Sequence, residues 1–87
     1  MSSITFTEEG WEDYLVWQII DKSKVRRINS LLKSISRDGA LEGIGKPEKL
    51  SYIKGFSRRI DEKNRLVYDI EDGQIIVIAC KGHYDDK

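Results

Sequence analysis

The apolar positions of this chain change period along its length. Helical spacings of three and four fill the N-terminal part, and short strand-like runs fill the last third. "ITF" reads as a short first strand. Thr7 follows as an N-cap, with Glu8 and Glu9 in the first turn, where the helix dipole favours negative charge. Trp11, Tyr14, Leu15 and Ile19 then form an apolar stripe on a first helix. Asp21 caps a second, in which Val25, Ile28, Leu32 and Ile35 recur on one face beside Leu31. Lys24, Arg26, Arg27 and Lys33 fall off that stripe and read as a solvated face. Gly39 ends the helix, and "GALEGIGKPEKLSYIKG" is a loop holding the only proline. The loop is not a phosphate-binding one: "GIGKP" lacks the full spacing and the Ser/Thr, and no helix start follows.

"FSRRI", "RLVYDI" and "QIIVIAC" read as strands, the last two joined by the two-residue hairpin signal Asp72-Gly73. The predicted fold is therefore α+β. Two N-terminal helices pack on one face of a mainly antiparallel sheet, made of a short first strand and a three-strand meander.

Strand alternation sorts the side chains. Phe56 and Ile60 share one face, as do Leu66, Tyr68 and Ile70. These apolar faces coincide only if an odd-length connection pairs Arg59 with Arg65. Ser57, Arg59, Arg65 and Val67 then look out from the face away from the helices. The Asp72-Gly73 turn pairs Ile70 with Ile75, Tyr68 with Val77 and Leu66 with Ala79, which puts Ile76, Ile78 and Cys80 on the side of Arg65. Simple parity carries Tyr84 to that side and sends His83 the other way, unless a bulge near Gly82 re-aims both. Two neighbouring arginines repel. They call for an anion such as Glu48 or phosphate, or they are ordinary surface arginines.

Composition narrows the class. The 87 residues are expected to form one domain, 1–87, with 39% apolar residues and a net charge of zero. The charge is uneven: residues 46–65 carry seven lysines and arginines against three acidic residues, while acidic residues gather in "EEGWED" and "YDDK". No apolar run is long enough to span a membrane, and the start lacks the basic-then-apolar pattern of a signal peptide. The single cysteine, Cys80, ends an apolar run and reads as a buried inert thiol in a cytoplasmic protein. Trp11 and Trp17 are read as core, with a second copy of the chain or another protein partner as the alternative cover.

Four blocks together resemble one family. "WEDYLVWQIIDK", "GIGKPEKL", "SRRIDEKNRLVY" and the closing "HY" resemble the YoeB/Txe toxins of the RelE superfamily, in order and at similar spacing over essentially the whole chain. The resemblance implies a RelE-like microbial RNase fold and a ribosome-dependent mRNA endonuclease, needing neither metal nor cofactor. It implies Glu48 as general base, His83 as general acid and Arg65 as stabiliser of the phosphorane-like transition state. Arg59 and Tyr84 would support the substrate phosphate and base, and Lys46 and Lys49 the RNA backbone. The implied partners are a cognate YefM/Axe-type antitoxin, the ribosome with its mRNA, operator DNA only through the antitoxin, and a second toxin copy. Phe56 stands where the family commonly has tryptophan, and Asp85, Asp86 and Lys87 extend past its usual final tyrosine. Two other readings stay open: a toxin-fold binding and co-repressor module, and an endoribonuclease acting on free RNA.

Overall fold

The computed structural model describes residues 3–82. Its elements are β1 (Ser3–Phe6), α1 (Glu8–Ile20), α2 (Lys22–Asp38), β2 (Glu48–Lys49), β3 (Phe56–Arg59), β4 (Arg65–Glu71) and β5 (Gln74–Ala79). The strands form one sheet in the order β1-β5-β4-β3-β2. β1 runs parallel to β5, and every other neighbour is antiparallel. The fold is thus the expected α+β class. β2 is an addition, because two residues of the glycine-rich loop pair with β3 at the sheet edge.

Both predicted helix starts are present. The Thr7 hydroxyl accepts the Gly10 amide, and Asp21 accepts the Ser23 amide, so each cap satisfies an otherwise unpaired donor of the first turn. Ile28, Leu31, Leu32 and Ile35 of α2 are buried against Leu66, Tyr68, Ile75 and Val77 of the sheet. α1 departs from its predicted stripe. Trp17 is core, but Ile19 is 85% exposed and Trp11 is half-exposed, its ring lying by Phe6 and Tyr14. Gly10 sets this orientation. A Cβ there would sit 2.5 Å from the Val77 carbonyl oxygen, so the helix lies close on β5 along its glycine.

The β3–β4 connection has the predicted odd length and pairs Arg59 with Arg65. The Asp72-Gly73 turn has positive φ at both residues, as a type I′ hairpin requires. The β4–β5 register breaks halfway. Tyr68 pairs with Val77, but Ala79 pairs with Val67 rather than with Leu66, so Ile78 is an extra residue on β5. This bulge reverses the alternation. Cys80 points into the core rather than to the side of Arg65, with its thiol 3.7 Å from the Gly10 carbonyl. The predicted open face is also less open than expected, since Ser57 and Val67 are fully buried. The Arg65 guanidinium, bonded to Ser57, lies across the first of these.

Candidate active site

The loop that carries Glu48 is built around Arg58. This residue falls between Phe56 and Ile60 in the strand alternation, so it faces the helices and is fully buried. Its Nε donates to the Tyr68 hydroxyl at 2.8 Å, and Nη1 donates to Ser34 Oγ and the Ile44 carbonyl, both at 2.9 Å. Nη2 donates to the carbonyls of Gly39 at 2.7 Å and Glu42 at 2.6 Å. A guanidinium offers five donors in a fixed plane. Here they replace the secondary structure that residues 39–45 lack and gather the loop carbonyls around one cation. The Arg59 amide donates to the Gly45 carbonyl at 2.7 Å, so the loop rejoins the sheet one residue further along β3. Lys46 takes a positive φ, and Glu48 then pairs with Ser57 at the start of β2.

This path brings Glu48 to Arg65 across β3. Glu48 Oε2 stands 3.7 Å from Arg65 Nη2. Arg65 Nε donates to Ser57 Oγ at 3.0 Å, which fixes the guanidinium plane. Nη2 is buried and has no hydrogen-bond partner among the described residues. The two groups differ in freedom: the Arg65 side chain is 13% exposed, and that of Glu48 is 63% exposed. A fixed cation therefore faces a solvent-exposed carboxylate at longer than hydrogen-bond distance.

Arg59 is exposed beside Arg65, and its carbonyl accepts Arg27 Nη2 at 3.1 Å. Lys46 and Lys49 are exposed on the same edge, and Lys49 Nζ lies 5.7 Å from the centre of the Phe56 ring. Phe56 in turn stacks on Tyr68 at 5.6 Å. The structure thus gathers Glu48 and Arg65 with Arg59 beside them, whereas Lys49 pairs with Phe56 and lies over its ring, on the opposite face of the sheet from Glu48, which pairs with Ser57. His83 and Tyr84 lie outside the described residues. The chain reaches Gly82 beside β4, where the Gly82 carbonyl accepts the Arg65 amide at 3.0 Å. The cavity of about 430 Å³ between the end of α2 and β3–β4 is lined by Lys49 and Phe56 but by neither Glu48 nor Arg65, and is a separate feature.

The sequence reading missed Arg58, although the alternation that put Phe56 and Ile60 inward carries it inward too. It also took Lys24 and Arg27 as a solvated face. Lys24 instead pairs with Asp61 at 2.9 Å, and Arg27 bonds the Arg59 carbonyl. Burial alone would raise the Asp61 carboxyl. Lys24, the amides of Lys63 and Asn64 and the Asn64 side chain outweigh it and hold the group well below the ordinary carboxylate range. Cys80 takes no part in this cluster. Burial, helped by the negative charge of Asp13, pushes its thiol up to about 12.

Residues 6–84 match the family model described as the YoeB-like toxin of the bacterial type II toxin–antitoxin system. A Synechocystis protein named Toxin YoeB is 49% identical over 83 residues, covering 93% of this chain and 95% of its own. The Staphylococcus aureus YoeB dimer superposes with a TM-score of 0.90 at 54% identity, over 95% of this chain and 98% of that one. YoeB in a heterotetrameric YoeB–YefM toxin–antitoxin complex from the same organism gives a TM-score of 0.88 at 53% identity, over 97% and 99%. The sheet order, the Arg65–Glu48 cluster and these likenesses run over the same residues, and the chain belongs to the YoeB-like toxins of bacterial type II toxin–antitoxin systems.

Proposed function

We propose that this toxin is a ribosome-dependent endoribonuclease that cuts mRNA in the ribosomal A site and so stops translation. The observation that carries the proposal is Arg65 Nη2, a buried cationic donor without a hydrogen-bond partner among the described residues, 3.7 Å from the Glu48 carboxylate. An unfilled guanidinium donor calls for an oxyanion, and a phosphate offers one of matching geometry. A phosphate oxygen entering between the two groups takes that donor and leaves Glu48 beside the adjacent ribose.

The chemistry then follows from the residue types. Glu48 takes the proton of the 2′-hydroxyl, and the 2′-oxygen forms a bond to the adjacent phosphorus. The bond from phosphorus to the 5′-oxygen breaks, and His83 supplies the proton that this oxygen needs. The products are a 2′,3′-cyclic phosphate and a 5′-hydroxyl. Arg65 gains most when charge accumulates on the pentavalent phosphorus, which is where electrostatic catalysis is strongest. A carboxylate and an imidazole are side chains suited to taking and giving the proton in such a transfer. Arg59, Lys46 and Lys49 hold the RNA backbone, and Tyr84 stacks on a base. No step draws on a metal or cofactor.

The partners proposed are the ribosome with its mRNA, a YefM/Axe-type antitoxin as in the S. aureus complexes, and a second copy as in the S. aureus dimer. Operator DNA is reached only through the antitoxin. The site of action is the cytoplasm. Primer extension on mRNA, with and without translating ribosomes, tests the reading. Toxin freed of antitoxin is expected to produce new 5′ ends only when ribosomes translate. Cuts in naked RNA at equal rate would make it a general ribonuclease, and no cuts in either would make it a binding module.

A further inference from the structure

We infer that Arg27 of α2 extends the candidate site into a second RNA-phosphate contact, a surface whose occupant rests on the ribonuclease reading above. Arg27 lies off the apolar stripe of α2 and is half-buried. Its Nη2 donates to the Arg59 carbonyl at 3.1 Å. The Arg59 amide donates to the Gly45 carbonyl at 2.7 Å. In an antiparallel ladder the amide and carbonyl of one residue face the same neighbouring strand. Both groups of Arg59 therefore look to the β2 edge, where Glu48 pairs with Ser57 two residues away. Arg27 thus reaches the edge that carries Glu48 and the exposed Lys46, which follows Gly45. On its other side Arg59 pairs with Arg65, and directly opposed residues have Cα atoms only about 4.5–5.5 Å apart. Arg27, Lys46, Arg59 and Arg65 form one cationic row from α2 to the Arg65–Glu48 pair.

Among the described residues, no ion pair reaches Arg27, Lys46 or Arg59, and Arg65 has only the Glu48 contact at 3.7 Å. The carboxylates of α2 and its cap are engaged elsewhere: Asp21 accepts from Ser23, and Asp38 binds Arg37 and Ser34. Asp61 is taken by Lys24 and the turn amides. Like charges held this close repel, so the row gains from a chain of anions. Arg27 has spent one of five donors, and on a neutral carbonyl that leaves its charge unmatched. The same bond fixes the guanidinium before a ligand arrives, so binding costs it little freedom. An RNA strand fits this row because it brings successive phosphates, and the row runs on from the Arg65 donor proposed to take the phosphate at the cut.

The test is the salt dependence of binding. Each phosphate contact contributes about 0.7 to the slope of log affinity against log salt on a single strand, and about 0.9 on a duplex. Affinity is read over about 50–200 mM KCl in two arms, a labelled 2′-O-methyl RNA strand that cannot be cut and vacant ribosomes. Arg27→Gln keeps a donor for the Arg59 carbonyl and removes the charge. It is expected to bind roughly 3- to 10-fold more weakly at about 0.1 M salt, with a slope smaller by about 0.7–0.9, whereas Arg27→Lys keeps the slope. The slope, unlike the apparent affinity, does not depend on the fraction of protein folded. A change confined to the free strand supports a contact with the substrate strand, and one confined to ribosomes supports a contact with ribosomal RNA. An unchanged slope in both arms overturns the contact. Poly-glutamate that binds the unaltered toxin more tightly than the RNA, with the same loss of slope in Arg27→Gln, would give the row to an acidic protein segment and overturn it too. Cleavage is scored separately on translated mRNA: no cuts by the unaltered toxin, with the slope change present, would sink the ribonuclease reading and leave the RNA contact standing.

Discussion

Arg65 and Glu48 show how a single pair of side chains divides rigidity and freedom. Arg65 is enclosed and fixed through Ser57, while Glu48 sits on a two-residue edge strand with most of its side chain in water. An ion pair of this kind contributes little to stability. Its separation leaves Nη2 unfilled among the described residues, which suits a ligand better than it suits the fold alone. Cys80 is the opposite case, a reactive group silenced by its surroundings. With a thiol pKa of about 12, on the order of one molecule in 10⁴ carries a thiolate at pH 8, against roughly a quarter for an ordinary exposed cysteine. Iodoacetamide labelling of the native toxin at pH 8 should therefore be at least about 100-fold slower than of the urea-unfolded chain. Equal rates would show that the thiol is not enclosed by α1 as described.

At the scale of elements, Arg58 explains why a loop without regular structure keeps one path. Its donors satisfy Ser34, the Tyr68 hydroxyl and the carbonyls of Gly39, Glu42 and Ile44. Arg58→Met leaves those acceptors buried and unmatched, at about 1–3 kcal/mol each before relaxation. We expect a net loss of at least about 3 kcal/mol in urea denaturation, a large part of the roughly 5–15 kcal/mol that holds such a domain. An unchanged midpoint would show that the loop does not need the guanidinium. The elements also mark where the sequence was readable. Helix caps at Thr7 and Asp21, the hairpin at Asp72-Gly73 and the Arg59–Arg65 pairing were legible because each depends on nearby residues or on simple alternation. The β5 bulge was not. "QIIVIA" is apolar at every position after the first, so the run carries no phase of its own, and one extra residue shifts the register unseen. The reversal of Cys80 and the backbone bond between Gly82 and Arg65 follow from that residue. Arg58 was hidden for a different reason: a charged side chain at an inward position looks like an error until the loop that solvates it is known.

For the molecule as a whole, the ionic tie between the helices and the sheet matters more than net charge. Lys24–Asp61 joins α2 to the β3–β4 turn, and Asp61 orders that turn through Asn64. A carboxyl whose folded pKa is depressed stabilises the fold above its unfolded pKa, near 4, and that contribution is lost as pH falls through the folded value. Stability should therefore drop between about pH 4 and the onset of acid unfolding. Asp61→Asn should be less stable than the unaltered chain at pH 7, with the difference narrowing as pH falls. A constant difference across that range would exclude Asp61 as the titrating group. The zero net charge, with basic residues concentrated in 46–65, leaves a local rather than a global attraction for a polyanion, as the proposed RNA substrate would be. In the wider candidate site, alternation brought Arg59 to Arg65 and called for an anion, but the roles of Glu48 and His83 were legible only as a family pattern, because those residues come from separate segments that no local periodicity connects.

The proposed function has Arg65 and Glu48 carry out phosphoryl chemistry on mRNA. The most direct measurement is single-turnover cleavage on programmed ribosomes, with end-group analysis of the products. The expected products carry 2′,3′-cyclic phosphate and 5′-hydroxyl ends. Rates should fall about 10²- to 10³-fold in Arg65→Met and about 10²- to 10⁴-fold in Glu48→Gln, with both variants folded. Ends bearing a 5′-phosphate, or either variant cutting at the unaltered rate, would contradict the proposed function.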